Sequence, residues 1–153
     1  MQTNLKDILK GKIVIIGIGN IIRGDDGFGP LLIEKITDRV EAICLDGGTA
    51  PENYLGKIVK ENPDTVLIVD AAHLDKNPGE YEILNREDIV KCGFTTHDIS
   101  PVMFIEYLTN QTKASIYMLG VQPKSIELGS ELSEELKAIL DEVSGKILEV
   151  VNA

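Results

Sequence analysis

Two adjacent acids, Asp25 and Asp26, sit inside the glycine-rich segment GIGNIIRGDDGFGP, residues 17–30, between an apolar run and a helix-like stretch. Carboxylates at such a bend can bind a hard or borderline cation, exchange protons, or cap a helix. Capping needs only one of them and contributes roughly 0.5–2 kcal/mol, so the pair gains chemical meaning only with partners elsewhere. Asp70 ends the apolar run Thr65-Val66-Leu67-Ile68-Val69, and His97 lies just ahead of the helix-start signal Ser100-Pro101. Two carboxylates and one imidazole can hold a divalent ion and leave positions for water or a substrate. Imidazole suits zinc, nickel and iron alike, so the residue types do not choose the metal. A helix N-terminus just after His97 disfavours imidazolium and keeps the ring neutral for coordination. His73, three residues after Asp70, is the alternative imidazole; it stands among Leu74, Asp75, Lys76 and Asn77, a polar tract that reads as a solvated loop.

Other chemistries find less support. The absence of H-E-x-x-H excludes a helical zinc-protease site, and the absence of G-x-S-x-G leaves serine nucleophile chemistry little support. Cys44 and Cys92 lack C-x-x-C spacing and read as packing residues, and Cys92 with His97 is only a weak candidate for Cys-His chemistry. Gly17-Ile18-Gly19 begins like a dinucleotide fingerprint, but Ile22 occupies the third glycine position and two acids would face a pyrophosphate. No nucleotide cofactor is expected.

The elements that must position these residues alternate along the chain. An apolar β-branched strand precedes the acid pair, and residues 28–38 follow as a helix with Pro30 in its first turn. Residues 41–45 form a second strand ending at a turn, Asp46-Gly47-Gly48. Pro51 and Glu52 open a second helix, closed by Asn62-Pro63, and residues 65–69 form a third buried strand ending at Asp70. A turn-rich loop leads to a short edge strand at 81–84 and a short helix near 86–91. A helix follows from Ser100-Pro101 to about 110, then a strand at 115–121. Leu132, Leu136, Ile139, Leu140, Val143 and Ile147 line one face of a C-terminal helix.

Such βα alternation predicts a largely parallel, helix-covered sheet, which an edge strand at 81–84 would make mixed. At 153 residues and 43% hydrophobic content, the chain fits one domain, 1–153. A formal charge of −10, from 25 acids and 15 bases, argues against nucleic acid and anionic membranes. Neither a secretory signal nor a run of about 20 apolar residues is present, so the expectation is a cytoplasmic protein without membrane insertion.

Together these motifs resemble the hydrogenase maturation endopeptidases. GIGNIIRGDDGFGP resembles that family's G-x-G-N…G-D-D/E-x-x-G block, LDGGTAPEN its D-G-G segment, VDAA its central strand end and TTHDISP its histidine loop; LGVQP completes the series. The wording of DGGTAPEN, TTH and LGVQP is most similar to the branch serving hydrogenase 3 of formate hydrogenlyase. The resemblance implies a single-domain three-layer α/β/α sandwich with a twisted, mostly parallel sheet. It implies that Asp26, Asp70 and His97 contact the metal and carry catalysis, choosing Asp26 over Asp25 and His97 over His73. Asp46, Gly47 and Gly48 would help bind substrate. The implied reaction removes a short C-terminal extension from the immature large subunit of a NiFe-hydrogenase. Its Ni2+ would arrive with that partner, although other divalent ions could occupy the site in isolation. A non-catalytic nickel sensor or chaperone for the same precursor is the alternative.

Overall fold

Apolar, β-branched runs build the centre of the sheet. The computed structural model describes residues 3–92 and 100–153. Strands β1 (Ile13–Ile18) and β3 (Thr65–Ala71) are buried along their whole length, as strands covered by helices on both faces must be. β2 (Ile43–Gly48) and β5 (Ser115–Val121) continue the sheet in parallel on either side, and β4 (Tyr81–Leu84) closes one edge antiparallel to β5. The spatial order is β2-β1-β3-β5-β4. The sheet is therefore mixed, through the edge strand that the sequence predicts.

Strand alternation sends successive side chains into two separate cores. Ile15, Leu67, Val69 and Leu119 meet α1 (Leu5–Ile8), α2 (Phe28–Ile36) and α6 (Glu134–Val151). Val14, Ile16, Ile68 and Met118 meet α3 (Leu55–Glu61), α4 (Arg86–Cys92) and α5 (Pro101–Gln111). The result is the expected three-layer α/β/α sandwich, with the C-terminal helix contributing Leu136, Val143 and Ile147 to the first core.

Several boundaries differ from the sequence reading. Residues 46–48 belong to β2 and are not a turn beyond it: Asp46 pairs with Gly17 and Gly48 with Ile18, across an irregularity between Gly17 and Ile18. Pairing with β1 overrides the weak strand preference of Asp and Gly. Pro51 opens a 3₁₀ turn, Pro51–Tyr54, before α3 begins, and Asn62 ends that helix in a left-handed conformation, φ 50°. α2 stops at Ile36, because Asp38 turns the chain with φ 66°. α1, capped by Asn4, has no counterpart among the elements read from the sequence.

One close approach fixes the loop carrying the acid pair. A β-carbon on Gly29 would collide with the carbonyl oxygens of Ile18 and Val69. Only glycine lets the first turn of α2 lie directly against the ends of β1 and β3.

Candidate functional site

A 3₁₀ turn, Gly24–Gly27, carries Asp25 and Asp26 at the C-terminal end of β1 and packs against β3. Both acids are fully buried, yet they serve different neighbours. Asp26 Oδ2 accepts the backbone N–H of Asn20 at 2.9 Å, and Asn20 Oδ1 accepts that of Ile22 at 3.1 Å. Asp26 thereby anchors the loop leaving β1.

Asp25 faces a segment about a hundred residues away. Its Oδ2 accepts the backbone N–H groups of Lys124 at 2.8 Å and Ser125 at 3.2 Å and the hydroxyl of Ser133 at 2.9 Å, while Oδ1 accepts the Ser133 N–H at 2.7 Å. Ser133 is also the N-cap of α6. Asp25 therefore ties the β1 loop to the entrance of the last helix. The N-cap position of α2 is Gly27, so neither acid occupies it.

Asp70 lies within β3, one residue before its end, fully buried and paired in register with Gly120 of β5. Alternation places it with Val66 and Ile68 on the face that α3, α4 and α5 cover. α5 leads within a few residues into β5, so its N-terminus, where Ser100 Oγ accepts the Met103 N–H at 3.1 Å, points to the same C-terminal edge of the sheet. His97 falls outside the described residues. Asp26 and Asp70 are the two predicted ligands that the described structure brings onto adjoining elements. Among the described residues, no group of three or more His, Cys, Asp or Glu side chains is arranged to hold a metal ion.

The proposed substrate-binding segment lies one strand outward. Asp46 is exposed, with its Oδ1 accepting the Gly48 N–H at 3.1 Å, and the Gly48 carbonyl accepts the Gly19 N–H at 2.9 Å. That last bond connects the end of β2 to the loop leading to Asp26. His73 is exposed, as the polar tract around it predicts. Cys44 is partly buried against the first core, away from the acids; burial pushes its thiol up, against a bond to Thr37 that lowers it. Reading the sequence misses Asn20 and Ser133 as partners of the acids. Asn20 lies within the GIGN motif, a local signal that could have found it, whereas nothing near Ser133 points to Asp25.

Buried carboxylates at the C-terminal edge of a helix-covered, mainly parallel sheet define an open α/β protein with its polar site where such sheets bind ligands. Comparison with known proteins is specific. A family model described as HycI, hydrogenase maturation protease, matches residues 30–150, a stretch that begins just after the acid pair and includes Asp70 and His97. The hydrogenase 3 maturation protease of Escherichia coli (strain K12) is 36% identical over 85% of this chain and 85% of its own. The NiFe hydrogenase maturation protease HycI from Thermococcus kodakarensis KOD1 superposes with a TM-score of 0.89 at 35% identity, over 97% of this chain and 99% of that one. The E. coli hydrogenase maturating endopeptidase HybD superposes with a TM-score of 0.73 at 27% identity, over 92% of each chain. The chain belongs to the hydrogenase maturation protease family, and it is a protease.

Proposed function

We propose that this protein is the endopeptidase that removes a short C-terminal extension from the nickel-loaded precursor of a NiFe-hydrogenase large subunit. Asp26, Asp70 and His97 recognise nickel carried by that substrate, and Asp46, Gly47 and Gly48 help seat the chain to be cut. The observation that carries this reading is the placement of two fully buried carboxylates on adjoining elements at the C-terminal edge of the sheet. Concentrated negative charge in a low-dielectric setting favours a cation strongly, and carboxylates with imidazole suit a borderline one.

Nickel is cargo of the substrate in this reading, so the cutting site is complete only when a loaded precursor docks. Other divalent ions can take its place in the isolated protein. A metal-bearing substrate supplies positive charge beside the scissile carbonyl. Water adds to the carbonyl carbon, the C–N bond breaks, and a proton passes to the leaving amine. Buried carboxylates are suited to hold that water and accept its proton. Assembling the centre from two molecules explains how a small protease can leave unloaded precursors and ordinary peptides uncut.

Intact-mass measurement of a large-subunit precursor, nickel-loaded and nickel-free, tests the reading. Loss of a C-terminal peptide from the loaded form alone is expected, and it should disappear in Asp26→Asn, Asp70→Asn and His97→Ala but persist in His73→Ala. Unchanged mass with retained binding would assign the protein to sensing nickel without cutting.

A further inference from the structure

Three of the most exposed large apolar side chains belong to one small structural unit. Ile21, Ile22 and Leu128 are 63%, 57% and 66% exposed. The first two stand in the loop between β1 and Asp26; Leu128 precedes Gly129, whose N–H donates to the Ile22 carbonyl at 2.7 Å. Further bonds run from the Gly24 N–H to the Ser130 carbonyl at 3.1 Å and from the Asp25 N–H to that of Ser125 at 2.9 Å. The buried Asp25 carboxylate locks the same two segments together. Gly24 is required where they meet: its φ is 55°, and a β-carbon there would come within 2.5 Å of Ser130 Oγ. The apolar side chains are thus displayed by a fixed double loop whose Asn20 end is bonded to Asp26.

Three solvent-facing aliphatic side chains on one hydrogen-bonded double loop cost solubility and mark an interaction surface. Exposed Lys124, Glu127 and Glu131 along the same segment supply charged surroundings, the apolar-centre and polar-rim pattern of protein interfaces. Three side chains offer a few hundred Å² at most, well short of a stable dimer interface, and a charge of −10 repels a second copy. The area suits an anchor that adds to contacts made elsewhere by the same partner. Its continuity with the Asp26 loop sets that partner at the cutting edge.

We propose that Ile21, Ile22 and Leu128 form a docking platform for the folded body of the large-subunit precursor, beside the loop that carries Asp26. This rests on the activity proposed above. Platform contacts would raise affinity without entering the bond-breaking step, so they should act on KM and not on kcat.

The test compares wild type with Ile21→Ser/Ile22→Ser/Leu128→Ser, and with Leu128→Ser alone, on the nickel-loaded large-subunit precursor. Tyr107→Ser on α5, also exposed, is the control. A rise in KM of about tenfold or more for the triple variant is expected, as for loss of interface anchors, with an unchanged melting temperature, kcat and control. Unchanged KM, or a fall in kcat alone, overturns the platform. So does a wild-type dimer that the variant loses. If wild type binds the precursor but does not cut it, the activity reading fails, and a rise in Kd on substitution still upholds the platform while an equal Kd overturns it. No binding by wild type overturns both.

Discussion

Replacing Asp25 and Asp26 in turn should separate stability from activity. Asp25→Ala leaves four donors without their acceptor: the N–H groups of Lys124, Ser125 and Ser133 and the Ser133 hydroxyl. These donors lie on partly buried segments, where entering water recovers some of the loss, so about 1 kcal/mol each is appropriate, or about 4 kcal/mol together. For a chain of this size that lowers the melting temperature by about 8–16 °C. Asp26→Asn keeps an oxygen able to accept the Asn20 N–H, its described backbone bond at 2.9 Å, so its cost should stay within about 1 kcal/mol. Precursor processing should nevertheless be lost in that variant. Urea denaturation followed by circular dichroism gives the first quantity, and intact mass of the processed precursor the second. A loss below about 1 kcal/mol for Asp25→Ala, or an equally large one for Asp26→Asn, would refute the division of labour.

Gly29→Ala should cost about 3 kcal/mol or abolish folding, because its methyl group meets the carbonyl oxygens of Ile18 and Val69; a near-neutral denaturation curve would contradict that packing. In a Cys92→Ser background, Cys44 should alkylate more slowly than a free thiol at pH 8, with its rate midpoint displaced upward by burial; a midpoint at or below that of glutathione would disprove it. The Glu135 carboxyl is held low first by its own backbone N–H and then by Lys124, so its stabilising effect is present above the unfolded-state value and is lost as pH falls through the lower folded one. Glu135→Gln should flatten the acid limb of stability against pH, and superimposable limbs would count against the bond.

Legibility from sequence followed how local each constraint was. β1 and β3 are continuous apolar runs because both of their faces are covered, and the helix begun by Ser100-Pro101 carries its signal in adjacent residues. The antiparallel edge at Tyr81–Leu84 was likewise readable from its short length and its turn-rich approach. Asp46-Gly47-Gly48 misled because composition favours a turn, whereas pairing with β1 draws the segment into a strand. α1 is one turn long, too short to show a helical period, and depends on Asn4 and burial of Leu5 and Ile8. Candidate acids were visible through their type and their position at or near the C-terminal ends of buried strands, and family resemblance chose between neighbours. The partners of Asp25 were not visible, since they lie about a hundred residues away and three of the four donors are backbone N–H groups.

The division between the two adjacent acids has a geometric cause. A 3₁₀ turn advances about 120° per residue, so successive side chains leave its axis in different directions. Once Asp25 points to the segment before α6, Asp26 must point elsewhere, and its bond to Asn20 holds it on the β1 loop. Gly24 and Gly29 permit close backbone contacts on either side of the turn, leaving little room for either acid to exchange places. Moving the acid by one position should therefore fail: Asp26→Asn cannot be rescued by the neighbouring Asp25, even though both carboxylates belong to one turn. Processing retained in Asp26→Asn but lost in Asp25→Asn/Asp26→Asn, with both variants folded, would show that Asp25 can reach the site and would overturn this account.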